Sequence, residues 1–402
     1  MNLKLLFVAA VTSLLAACGG GSTTAQSDLC AETSSDSFSC QQMLQDSTAV
    51  ATAQATAVSD SLNQLQVDID AYCGDVTSGA LLVTAQVSWT AAMADVQQLE
   101  VMQIGPIEEL RNELYVWPGN NTCRTDDQIA TNVNPDMATV DSANRGLTAL
   151  EYVLFNDDAL DKCDANFPDV AAWRVANPEL DARKLQRCEY AKNIVTDLAS
   201  KVDVLETSLA SFSLQDSNSS LQQAANDISD GLFYVDKFTK DLKVLAAIPQ
   251  GNDGIFLVSK LESQFADATG NSLVDVSKQH ILSNLQGAKT MFKGGSGLGL
   301  SDYLIALGQS DMATEIEASL DSAIAHAQSI DESLYQTIGQ ADETNISACI
   351  ASATMGTFDA NSNLEKTCAL QFYLKQFTDL LKEDLVLALN FSKPAAADGD
   401  AD

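Results

Sequence analysis

The chain has 402 residues, 46% of them hydrophobic, with 55 acidic against 22 basic side chains and a formal net charge of −33. That supplies apolar surface for a large core, and the length suits two domains. Nucleic acid is excluded as a partner, since no basic patch exists to neutralise phosphates; an acidic surface of this kind favours solubility.

Residues 1–17 have the form of a cleaved signal. Lys4 supplies the positive end, Leu5 to Leu15 a short apolar stretch, and Ala16-Ala17 the small residues before Cys18. The stretch is too short to span a bilayer. A cysteine directly after the small residues predicts lipidation of Cys18, with residues 18–40 as a flexible tether. The expected partner is therefore the membrane, through a lipid anchor. Gly19 is not the Asp that retains lipoproteins at the inner membrane, so the expected location is the outer membrane, facing the periplasm. Eight cysteines remain, an even number in an oxidising compartment, which predicts disulfides. Sequence neighbours suggest Cys30–Cys40, Cys163–Cys188 and Cys349–Cys368, with Cys73–Cys123 by elimination. No C-x-x-C occurs, so a structural zinc site has little support.

Apolar residues then recur at three- and four-residue steps over Met43–Tyr72, Ala80–Gln103, Ala182–Phe212, Leu221–Leu245, Met312–Ile338 and Leu364–Phe391. Alternating β-type runs are almost absent. The spacing predicts an all-α fold of two antiparallel, four-helix-bundle-like halves packed together. Gly74-Asp75 ends the first helix, and Pro106 starts a short one after Gly105. Residues 117–121 form a loop. The polar run 211–220 divides the chain into an N-terminal bundle, 41–212, and a C-terminal bundle, 213–392. The Gly-rich joint 293–299 lacks the order of a phosphate loop and reads as a mobile helix connection. Residues 393–402 read as a disordered acidic tail.

One stretch carries chemistry: Asn144 to Asp157, NRGLTALEYVLFND. On a helix Thr148 and Glu151 share a face beside the apolar stripe of Leu147, Leu150 and Leu154. A carboxylate at the edge of a core is expensive unless it meets a cation, a metal or good donors. With His in place of Thr148, the segment would read G-x-H-x-x-E from Gly146, and imidazole and carboxylate would converge on one ion.

That motif is the signature of the imelysin-like family, the insulin-cleaving membrane peptidases and their iron-uptake relatives. Residues 110–129 (LRNELYVWPGNNTCRTDDQI) resemble the family's Trp-Pro segment, and residues 240–251 (KDLKVLAAIPQG) its Asp-x-Lys segment. Residues 261–287 are similar to its Glu-Ser, Ser-Leu and Asn-x-x-Gly run, and GSGLGLSDYL (295–304) follows in order. The similarity spans roughly residues 45 to 340. It implies two helical halves with the functional site between them, an envelope location and metal chemistry. Thr148 departs from it, since a neutral hydroxyl is a far poorer ligand for zinc or iron than imidazole.

Only His280 and His326 are available to complete a site, and no H-E-x-x-H is present. His280, in the second half, is the candidate to face Glu151; His326 in its Ala-rich helix reads as packing. Glu108, Glu109 and Glu113 on the helix after Pro106 read as a solvated acidic face. Were they to bind an ion, an all-oxygen site would suit calcium, magnesium or ferric iron. Trp117 and Pro118 either line a ligand pocket or close the end of the bundle. Glu262 and Ser263 form the Glu-Ser pair and, with His280, are further possible pocket residues; Ser263 reads as a helix hydrogen-bonder, not a nucleophile. No catalytic residue is assigned. The expected function is a non-catalytic envelope binding protein linked to iron or metal acquisition. Iron or another divalent or trivalent cation is the candidate cofactor, and a metal ion or an envelope protein the candidate ligand. The alternatives are a metal-dependent peptidase using Glu151 and His280, and a metal-free scaffold for an envelope partner.

Overall fold

The computed structural model describes residue 30 and residues 38–117, 121–156, 159, 163–250, 254–262, 264–266 and 272–389. The signal at 1–17, Cys18, Pro118, Ser263 and the tail at 393–402 lie outside the described residues, as does the side chain of Glu109.

Two long helices, α1 (Cys40–Gly74) and α2 (Gly79–Glu100), pack against each other, and α7 (Leu180–Ser211) lies on α1. Each takes the face its apolar period prescribes. On α1, Leu44, Ala51, Ala55, Val58, Leu62, Leu65 and Ile69 are buried. Ser39 caps α1 and Ser78 caps α2, each side chain accepting a backbone N–H three residues on. Between α2 and α7 run four short helices: α3 (Pro106–Leu114), α4 (Thr122–Thr131), α5 (Leu147–Phe155) and α6 (Pro168–Ala176).

The second half opens with α8 (Leu221–Tyr234), which runs without a break into a π-helix over Val235–Val244. A two-stranded antiparallel hairpin, β1 (Gln264–Ala266) and β2 (Ser272–Asp275), precedes α9 (Ser277–Lys293). This hairpin leaves no alternating run in the sequence, because its strands are too short to show a period. After α10 (Leu300–Ala306) come α11 (Ser310–Gln328), α12 (Leu334–Gly339), α13 (Ile346–Met355) and α14 (Asn363–Asp379). A second π-helix (Leu380–Leu385) then leads into the single turn α15 (Val386–Leu389). The predicted helix Met312–Ile338 is thus two helices. Ser333 opens the second with a reciprocal capping box to Gln336, which stops the first from continuing.

One apolar cluster runs through both halves. The principal contact across them is α2 on α9. Gly287 makes that approach possible: a Cβ there would stand 2.5 Å from the Gln98 carbonyl oxygen. The two π-helices are tied by Asp236, fully buried, which pairs with Lys240 at 3.1 Å and Lys382 at 3.2 Å. The Gly-rich joint is fastened rather than loose, since the Leu298 N–H donates to Asp46 of α1 at 2.7 Å.

All eight described cysteines are paired, but two of the expected bridges are exchanged. Cys30–Cys40 and Cys349–Cys368 form as expected; the others are Cys73–Cys188 and Cys123–Cys163, not Cys73–Cys123 and Cys163–Cys188. Antiparallel packing of α1 on α7 puts the end of the first beside the start of the second, where Cys73 and Cys188 lie. Packing of α4 on α6 brings Cys123 to Cys163. Proximity in sequence favoured the wrong partner, because the bridging contacts are made between helices far apart in the chain.

Candidate functional site

The motif helix α5 is buried along its whole length. Gly146 precedes it for a steric reason: a Cβ would stand 3.1 Å from the Leu114 carbonyl oxygen. Three fixtures hold α5. The Trp89 indole of α2 donates to the Leu147 carbonyl at 3.1 Å, and Gln86 donates to that of Leu154 at 2.9 Å. Behind the helix, Asp126 accepts from both the Tyr152 hydroxyl and Arg187, and Arg187 also reaches the carbonyls of Tyr152 at 3.3 Å and Asn156 at 3.2 Å. This ion pair is sealed from solvent, so losing either partner would leave a buried charge uncompensated.

Thr148 occupies the place of the missing imidazole. It is buried, and its hydroxyl points to the Val116 carbonyl at 3.4 Å. Glu151 is also buried, with 2% of its surface exposed. Arg145, six residues earlier, turns away to Glu113 at 2.5 Å and to the Met137 carbonyl at 2.7 Å. Glu113 takes a second cation, Lys201, at 2.9 Å, and that hydrogen bond holds its carboxyl below the usual range. The expected solvated acidic face is therefore partly an ion-pair patch. Trp117 packs against the core as a partly buried side chain.

A polar centre lies at the contact of α2 with α9. The His280 ring, on α9, is 6.3 Å from the Trp89 ring and 6.3 Å from the Tyr115 ring, centroid to centroid. Its Nδ1 faces Glu262 Oε2 at 3.3 Å, and both side chains are buried. Glu262 Oε1 lies 3.1 Å from the Gln97 amide Nε2 and 3.1 Å from Lys243 Nζ. Lys243 also reaches Glu100 Oε2 at 3.1 Å and the side-chain oxygen of Gln97. Asn284 donates to the Gln97 backbone at 2.7 Å and to its side-chain oxygen at 3.0 Å, while its own oxygen accepts from Thr239 at 3.1 Å. Burial works to raise the Glu262 pKa. The Lys243 charge, His280 and the hydrogen bonds from His280 and Tyr115 outweigh it and hold the carboxyl at about 2.

This network explains the second-half segments as physical parts. Lys243 comes from the Asp-x-Lys segment, Glu262 from the Glu-Ser pair, and Asn284 and Gly287 from Asn-x-x-Gly. Three stretches separate in sequence meet on Gln97 and Glu100, one turn apart on α2. Neither of those was singled out from the sequence, nor were Lys243, Tyr115 and Asn284 as side chains. The available signal was polar residues on a helix face otherwise read as core, Val96-Gln97 and Leu99-Glu100. His280 does come to the junction, but its Nδ1 is directed to Glu262. His326 is a packing residue, stacked on Tyr373 at 4.3 Å with Nε2 2.7 Å from the Lys366 carbonyl.

These residues do not fit a transition-metal ion held by the motif. The ligand position carries a hydroxyl turned to a backbone carbonyl, and the carboxylates on α2 and at residue 262 already share an ammonium. Among the described residues, no three His, Cys, Asp or Glu side chains are grouped to hold a metal ion.

The family model described as Imelysin matches residues 51–353. Among solved structures, an imelysin-like protein from Psychrobacter arcticum aligns over 89% of this chain and 98% of its own, at 15% identity and a TM-score of 0.53. A putative iron-regulated protein A precursor from Parabacteroides distasonis aligns over 83% of this chain and 95% of its own, at 16% identity and a TM-score of 0.52. At these identities the two structures show a common fold. Among curated proteins, none matches the sequence.

Proposed function

The chain belongs to the imelysin family, and from that premise we propose that it is a non-catalytic binding protein of the cell envelope, linked to iron or metal acquisition and held by a lipid on Cys18. The observation that carries this reading is Thr148, at the ligand position of the motif and hydrogen-bonded to the Val116 carbonyl. Without an imidazole there, the motif helix presents one carboxylate, Glu151, which is too little to hold zinc or to activate a water on it. The link to iron is supported by the family and by the name of the Parabacteroides distasonis relative, an iron-regulated protein precursor. The outer-membrane location rests on the Ala-Ala-Cys-Gly sequence at residues 16–19.

The test is metal analysis of the purified protein together with a peptidase assay with and without chelator. The expected result is no tight zinc on the motif and no chelator-sensitive cleavage; iron or another cation bound elsewhere on the protein supports the acquisition reading, whereas a protein free of metal supports the metal-free scaffold instead. Tight zinc binding that is lost in Glu151→Ala, accompanied by chelator-sensitive cleavage, would replace this reading with the metallopeptidase one. Fractionation tests the anchor: Cys18→Ala behind a cleavable secretory signal should leave the membrane fraction.

A further inference from the structure

The buried polar network at the junction has a shape that the binding role does not require. Lys243 Nζ sits among three oxygens: Glu100 Oε2 at 3.1 Å, Glu262 Oε1 at 3.1 Å and the Gln97 side-chain oxygen. An ammonium has three N–H donors, so the three oxygens satisfy it completely. The oxygens come from α2 and from the turn before the hairpin, while the lysine comes from the π-helix; only the tertiary fold makes the cage. Glu262 is held from its other side by His280 at 3.3 Å, and Gln97 by Asn284 at 3.0 Å, so two of the three acceptors are fixed independently of the lysine.

Two carboxylates and an amide oxygen converging inside a protein are the donor set of a hard divalent cation. Here the position is filled by a side chain. We infer that Lys243 is the resident cation of this junction, an internal ammonium that neutralises Glu100 and Glu262 and shuts out a metal ion that their oxygens would otherwise bind. This rests on the non-catalytic reading of the same junction. It adds a second determinant to it: Thr148 removes the motif's ligand, and Lys243 occupies the cation position between Glu100 and Glu262. The lysine also makes the closure of α2, α9 and the π-helix independent of metal supply.

The experiment is Mn2+ binding to the full-length mature protein, read by electron paramagnetic resonance of the free ion and by calorimetry. Lys243→Met keeps the aliphatic stem and removes the charge. It should bind one Mn2+ about tenfold or more tighter than wild type, and Glu262→Gln in the same background should cancel the gain. Wild type should be indifferent, its melting temperature unchanged by Mn2+ or by chelator. No gain in Lys243→Met, or a gain that survives Glu262→Gln, overturns the inference. If Lys243→Met does not fold, the double variant Lys243→Met/Glu262→Gln, which keeps the net charge of the cluster, takes its place. Recovery of a cooperative melt then supports neutralisation of Glu262 by the ammonium, and failure to recover overturns it. Chelator-sensitive peptidase activity in wild type would sink the non-catalytic reading instead, and so marks a different failure.

Discussion

His280 Nδ1 and Glu262 Oε2 face each other at 3.3 Å inside the junction, one from α9 and the other from the turn before the hairpin. The carboxyl of Glu262 titrates at about 2, against an ordinary value of 4.5. A depressed folded-state value means that the stabilisation is present above about pH 4.5 and is lost as pH falls from there towards 2. It amounts to about 3 kcal/mol. Glu262→Gln should therefore destabilise the protein by roughly that amount at pH 7 in chemical denaturation, and by much less at pH 2.5. An equal loss at both pH values would show that the charge of Glu262 is not what stabilises the junction.

Asp230 on α8 should act with the opposite sign. Burial, followed by the nearby charges of Asp227 and Glu108, raises its carboxyl to about 7 from 3.8. The folded state then prefers the neutral acid, so this residue lowers stability progressively as pH rises from about 4 through 7. Asp230→Asn should stabilise the protein at pH 8 by about 1 kcal/mol, after discounting for its partial exposure. At pH 4 the gain should shrink. A variant less stable than wild type at pH 8 would contradict this.

The bridge pattern has a direct chemical check. Peptide mapping without reduction should recover Cys73–Cys188 and Cys123–Cys163, and thiol titration of the denatured, unreduced mature protein should find essentially no free thiol. In the chain-entropy relation, the Cys73–Cys188 loop, with a sequence separation of 115, should contribute most. Its loss in Cys73→Ser/Cys188→Ser should cost about 4–5 kcal/mol, against about 3 for Cys30–Cys40. A recovered Cys163–Cys188 peptide would refute the arrangement.

Restoring the motif tests whether the rest of its surroundings survive. Thr148→His should raise zinc affinity by about tenfold or more, and Glu151→Ala in that background should abolish the gain. The larger side chain enters a filled space beside the Val116 carbonyl, so a stability loss of about 1–3 kcal/mol should accompany it. Unchanged zinc affinity in a folded Thr148→His protein would mean that Glu151 has turned away from the former ion position.

Much of the fold was legible in the order of residues. The three- and four-residue apolar period located the long helices, because each must bury one stripe. Pro106 marked a helix start, because its fixed φ is a local effect. Thr148 in place of an imidazole was likewise plain, as a local fact about one helical turn. What the tertiary structure decided were the relationships between distant segments. It chose Cys188 over Cys123 for Cys73, since antiparallel packing of α1 on α7, not chain proximity, sets which sulfurs meet. It turned His280 to Glu262, and it placed Lys243 between Glu100 and Glu262. No single helix carries a pattern for that cage. A buried lysine and a buried glutamate each look like errors in an apolar stripe, and become intelligible only when the fold brings the opposite charge to within 3.1 Å. The period of a helix is written in its own residues, whereas the compensation of a buried charge is written in another part of the chain.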